Sequence, residues 1–169
     1  MPDKIKIEET FDVIPSGKLY LFVERVPLRT HQVLRKELSR GRKTLYISKN
    51  SPNLLRTQLD FDPGTIQMKW LSPRPSQECI PPMNLMQFEK HITKFIAENK
   101  DGIVVLNGVE VLEMWNGFRP VLEVLKRTQK KVSANGNSFL ITLNPKIQFS
   151  NNLDNLEEIS DEVILGYAR

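Results

Sequence analysis

Gly102-Ile103-Val104-Val105-Leu106-Asn107-Gly108-Val109-Glu110-Val111-Leu112-Glu113-Met114-Trp115-Asn116-Gly117-Phe118 is the stretch that decides the fold. Ile103 to Leu106 are consecutive apolar residues, and all but the leucine are β-branched. The run is too short for a helix and reads as a strand buried on both faces, as at the centre of a parallel sheet. Asn107-Gly108 ends it. Chemistry in parallel α/β sheets gathers at the carboxyl ends of strands, so Asn107 stands where an active group is expected. An asparagine is a poor one, because it lacks the charge that holds a hard cation such as Mg²⁺. Glu110, the acid beside it, reads as surface or as a helix cap rather than a general base.

Outward from this strand the chain alternates strands and helices. Residues 109–115 predict one or two helical turns, and 118–132 a helix whose first turn tolerates Pro120. Upstream, 84–99 is the clearest helix, with Leu85, Phe88, Ile92, Phe95 and Ile96 on one face. Strands are expected at 19–24, 44–48, 66–71, 138–143 and 163–167. A helix over 30–40 takes Thr30 as N-cap and Gly41 as its stop, and shorter helices follow Asn50-Ser51-Pro52 and span 153–159. Asp62-Pro63-Gly64 is a turn. The proline-rich segment 72–82 is long for a structureless connection, and such connections are usually functional or mobile. Ile5 and Ile7 alternate, so residues 1–18 read as an edge strand or arm ahead of a domain spanning 19–169. The pattern predicts a three-layer α/β fold with a mainly parallel sheet.

The 169 residues are 40% hydrophobic and 26% charged, ordinary for one soluble domain. No apolar run nears the about 18 residues that span a bilayer, and Met-Pro-Asp-Lys-Ile-Lys lacks a signal-peptide core, so the expectation is a cytoplasmic protein with no membrane contact. A single cysteine, Cys79, rules out an internal disulfide and a cysteine zinc site. His31 and His91 have no metal-ligand spacing and read as helix surface residues, so no metal and no cofactor are expected. The net charge of +4 is uneven: Arg29, Arg35, Lys36, Arg40, Arg42 and Lys43 face Glu37 alone, whereas Asp154, Glu157, Glu158, Asp161 and Glu162 make the C-terminal segment acidic.

Motifs for chemistry are missing. A phosphate-cradling P-loop needs G-x-x-x-x-G-K-[ST] between a strand and a helix. After the first strong strand this chain has Glu24-Arg25-Val26-Pro27-Leu28-Arg29-Thr30, without glycine or lysine, and the nearest lookalike, Gly41-Arg42-Lys43-Thr44, leads into a strand. There is no G-x-G-x-x-G, G-x-S-x-G or H-E-x-x-H. Trp70, Trp115 and Phe118 read either as aromatic contacts for a ligand near the strand ends or as core packing.

Several of these segments together resemble a known family. They are Tyr20 to Glu24, Leu45-Tyr46-Ile47-Ser48, Trp70-Leu71-Ser72, Val104 to Gly108 continuing to Leu112, Asn116-Gly117-Phe118 with Val121-Leu122, and Leu143-Asn144-Pro145. From about Leu19 to Ile164 the chain is similar to the archaeal family catalogued as domain of unknown function 835, whose members look like degenerate relatives of the RecA and KaiC ATPases. The resemblance implies a RecA-like sheet without the phosphate loop, used alone or beside sensory and signalling domains. In active KaiC-type enzymes the corresponding strands precede a catalytic glutamate and end in a magnesium-binding aspartate. Here Lys49-Asn50 and Asn107 stand instead, which implies no ATP hydrolysis.

The expectation is therefore not an enzyme but a regulatory or protein-interaction module, with a protein partner and self-association among its options. Its contact surface is expected near Asn107, Glu110, Trp115, Asn116, Phe118 and Trp70. Two other readings stay open: a small-ligand or nucleotide sensor using the same cleft, and a nucleic-acid-associated factor using the basic residues of 29–43.

Overall fold

All strands of the sheet run parallel. The computed structural model describes residues 6–7, 14–59 and 66–166. Its strands are β1 (Lys6–Ile7), β2 (Leu19–Val23), β3 (Thr44–Ser48), β4 (Ile66–Leu71), β5 (Cys79–Ile80), β6 (Ile103–Asn107), β7 (Ser138–Leu143) and β8 (Glu162–Leu165). They form one sheet in the order β1-β8-β2-β7-β6-β3-β4-β5, each neighbouring pair parallel. The helices are α1 (Leu28–Ser39), α2 (Pro52–Leu59), α3 (Leu85–Glu98), α4 (Val109–Asn116), α5 (Phe118–Ala134) and α6 (Ser150–Ile159), with a 3₁₀ turn at Pro145–Ile147.

Because side chains alternate across a strand, the central run feeds two cores at once. Val104 and Leu106 join Leu45, Ile47, Phe139 and Ile141 under α3 and α5. Ile103 and Val105 join Tyr20, Phe22, Tyr46 and Leu140 under α1 and α2. Burying one such aliphatic side chain contributes about 2 kcal/mol, more than the about 1 kcal/mol at most of a surface ion pair. The apolar run, not the surface charge, therefore fixes β6 at the middle of the sheet.

Several local expectations are corrected. α1 begins two residues before Thr30, which is not its N-cap. The segment 72–82 is not structureless throughout: Cys79 and Ile80 pair with Trp70 and Leu71 as β5. α6 starts at Ser150 rather than 153, and β8 ends at Leu165. His31 is buried rather than on a helix surface, because its ring packs against Tyr46 inside the α1 core. Ile5, the turn at Asp62-Pro63-Gly64 and Tyr167 lie outside the described residues. No helix among the described residues is long and apolar enough to cross a membrane.

Candidate functional site

The register of the sheet places Ser48, Asn107 and Thr142 side by side at the carboxyl edge. Asn107 is only 6% exposed. Its side chain is close enough to the Tyr46 hydroxyl to lower that phenol's pKa against the effect of burial, and the hydroxyl lies 2.6 Å from His31 Nε2. A buried polar chain thus runs from α1 to the end of β6. Burial pushes the Tyr46 phenol above its ordinary range. Burial, helped by the Arg35 charge, pushes the His31 imidazole down to about 4. Asn107, expected near a contact surface, is a core residue.

Glu24 follows β2 and turns inward. Its Oε1 accepts from the Arg29 backbone N–H at 2.8 Å, and its Oε2 accepts from the Thr30 N–H at 3.0 Å and the Thr30 hydroxyl at 2.5 Å. Thr142 Oγ1 is 3.4 Å away. Free N–H groups and the helix dipole make the first turn of a helix an anion site, and here the chain's own carboxylate fills it. Gly166 permits this approach, since a Cβ there would come within 2.4 Å of Glu24 Cβ. Sequence reasoning missed Glu24. The signal was an acid between a strand end and a helix start that has no glycine loop.

Beyond β6, Gly108 has φ 151° and a Cβ there would meet Leu71 Cδ1 at 2.8 Å, so the β6–α4 turn packs tightly on its neighbours. Lys49 N–H donates to the Asn107 carbonyl at 2.7 Å, and Lys49 Nζ pairs with Glu110 Oε2 at 2.5 Å. Trp70 is half-buried; its indole N–H donates to the Lys49 carbonyl at 3.2 Å, and the Arg74 guanidinium lies 5.1 Å from its ring centre. Trp70 thereby braces the strand ends.

Trp115 is 51% exposed at the end of α4. Asn116 Nδ2 donates to the Pro82 and Leu112 carbonyls, each at 2.8 Å, clipping α4 to the proline-rich connection. Phe118 packs against the core and also lines a groove of about 550 Å³ between α4 and residues 147–152. The α4 wall is Glu110, Glu113 and Met114, on the side of the helix that flanks buried Val109 and Leu112. Glu113 was also missed, as were Met114, Ile147 and Phe149. Met114 alone carried a signal, a large apolar side chain out of phase with the inward face of its helix.

The basic residues of 29–43 do not form one patch. Arg29 is 3% exposed and donates to the Leu165 carbonyl at 2.7 Å, at the carboxyl edge. Arg42 is 8% exposed at the opposite edge, paired with Glu37 at 2.9 Å and donating to Asp101, Gly102 and Ser138. Arg35 reaches the Leu59 carbonyl and Arg40 pairs with Glu37. Lys36 and Lys43 are exposed. No group of three His, Cys, Asp or Glu side chains that could hold a metal ion occurs among the described residues.

The profile of the family described as "Protein of unknown function (DUF835)" matches residues 27–164. The chain belongs to the DUF835 family. No curated protein matches it. Among solved structures, a KaiC-like protein of the hyperthermophilic archaeon Pyrococcus horikoshii OT3 superposes with a TM-score of 0.71 at 17% identity, covering 99% of this chain and 83% of that one. At that identity the likeness concerns the fold, which is RecA/KaiC-like, with the parallel sheet that a DUF835 sequence implies.

Proposed function

We propose that this DUF835 chain is a non-catalytic regulatory or protein-interaction module of the cytoplasm, which meets a protein partner at the carboxyl edge of its sheet. The observation that carries the reading is Glu24. In a fold of this kind a phosphate is held by N–H groups at the start of the helix after the first strand, and the N–H groups of Arg29 and Thr30 are already bonded to the Glu24 carboxylate. The residues at this edge do not fit a triphosphate and its metal. A second anion at α1 would face Glu24, and Asn107 offers a buried amide in place of a carboxylate. Among the side chains this edge leaves exposed are three large apolar ones: Met114 at 79%, Trp115 at 51% and Phe149 at 81%. Exposed apolar clusters of this kind mark interaction sites.

Affinity capture from cell extract at moderate salt tests this, with wild type beside a Met114→Ser, Trp115→Ser variant. A protein retained by the wild type and lost by the variant supports the module. Retention that ignores the substitutions overturns it.

A further inference from the structure

The groove beside α4 carries more than apolar surface. Glu110 and Glu113 line it, one turn apart on the same helix wall. Glu110 Oε2 is paired with Lys49, but Glu110 Oε1 is buried without a hydrogen-bond partner among the described residues. Glu113 is met by two amides, Gln148 Nε2 at 2.6 Å and Asn152 Nδ2 at 3.3 Å, and by no cation among the described residues. Two carboxylates so placed, with one cation between them, leave uncompensated negative charge in a partly desolvated site, where a hydrogen-bonded cation is held most strongly. Burial, and next to it the Glu110 charge, accordingly hold the Glu113 carboxyl above its usual range.

The rim has a second unexplained feature. Phe149 occupies the N-cap position of α6 with no side-chain capping bond and is 81% exposed. Ser, Thr, Asp or Asn at that position would stabilise the helix by about 1 kcal/mol. An aromatic facing water in their place breaks a local rule without a folding benefit, and such breaks concentrate at functional sites. Small-molecule pockets enclose their ligands. Met114 and Phe149 instead project from the rim and offer area to a macromolecule.

We propose that this groove takes a short peptide segment of a partner protein that carries a lysine or arginine between apolar side chains. The cation meets Glu113, the Glu110 carboxylate one turn away adds to the negative potential it enters, and the flanking apolar groups cover Met114, Phe118 and Phe149. Anionic partners, nucleic acid and acidic membrane surfaces alike, are repelled by the same carboxylates. The inference rests on the protein-interaction reading and adds the chemistry of the partner.

Displayed random peptides of about 12 residues, a length suited to groove recognition, are selected on the purified chain. The best binder is then synthesised with its arginine or lysine and with a neutral isostere (citrulline for arginine, norleucine for lysine), and both are titrated by fluorescence polarisation. The cationic peptide is expected to bind about tenfold tighter than its neutral copy. Glu113→Gln should erase that difference, and Phe149→Ser should weaken both peptides, with circular dichroism unchanged. Should selected peptides be lost on Phe149→Ser yet ignore the neutral isostere and Glu113→Gln, the edge still binds protein and the cationic inference is overturned. Peptides indifferent to both substitutions overturn the inference and the interaction reading together. If no peptide is selected, the inference falls; a concentration-dependent dimer dissolved by Phe149→Ser would then assign the groove to a second copy of the chain.

Discussion

Glu24 shows how one side chain can decide what a fold can bind. Removing its carboxylate with Glu24→Ala leaves two buried N–H groups and the Thr30 hydroxyl without their acceptor, at a cost of about 2–3 kcal/mol in urea unfolding. Glu24→Gln keeps one acceptor oxygen and should lose less. An equal loss from both would mean that charge on the helix dipole, rather than hydrogen bonding, does the stabilising.

His31 gives a pH signature. Its folded-state pKa, about 4, lies below the ordinary 6.5, so the unfolded chain binds a proton that the folded one refuses. Stability is full above pH 6.5, declines as pH falls, and levels off below about 4, for a total of about 3 kcal/mol. His91 is shifted in the same direction by burial, so the decline should be read in a His91→Gln background. A flat stability profile between pH 7 and 4 would show that His31 is not held neutral by its place beside Tyr46.

At the scale of elements, α3 and α5 are joined through Glu89, which accepts from Arg127 Nε and Nη2 at 2.9 Å each and pairs with Lys131 at 3.0 Å. The Arg127 hydrogen bonds, ahead of the Lys131 contacts, hold the Glu89 carboxyl down to about 2. A depressed acid stabilises above its unfolded pKa and loses that contribution as pH falls through the folded value. The stability gap between wild type and Glu89→Gln should therefore be constant above about pH 5 and close toward pH 2, as chemical denaturation at each pH would report. A gap that does not change with pH would place the effect in packing. The β6–α4 turn makes a separate prediction. Gly108→Ala forces a Cβ against Leu71 at φ 151° and should cost about 1–3 kcal/mol.

Strand and helix positions were legible because their apolar periods are strong. The runs at 44–48, 66–71 and 138–143 coincide with β3, β4 and β7, and the 84–99 helix is α3 with Asn84 as its cap, accepting from the Gln87 N–H. What escaped depends on contacts distant in sequence. Thr30 has the residue type of an N-cap, but Glu24 does the capping from outside the helix. The two residues of β5 are too few to show a period, and pairing with β4 is what makes them a strand. Arg42 looks like surface charge until Glu37, Gly102 and Ser138 surround it. The site was legible only in part. Trp115 and Phe118 carry an aromatic signal, but the approach of 147–149 to α4 is a tertiary event with no local mark.

For the whole molecule, the sheet is RecA/KaiC-like, and its carboxyl edge is closed by its own residues. Glu24 fills the helix N-terminus, Asn107 serves the core, and the basic residues of 29–43 divide between opposite edges. That distribution argues against a phosphate-binding surface on α1 and leaves the α4 groove with its acidic and apolar lining.

The most direct measurement is thermal unfolding of the purified chain with and without Mg²⁺-ATP in excess. A ligand at 100 times its dissociation constant adds about 2.7 kcal/mol of stability, which for a domain of this size raises Tm by about 5–10 °C. The account predicts no shift with nucleotide, with or without the metal. A magnesium-dependent rise of that size would contradict it.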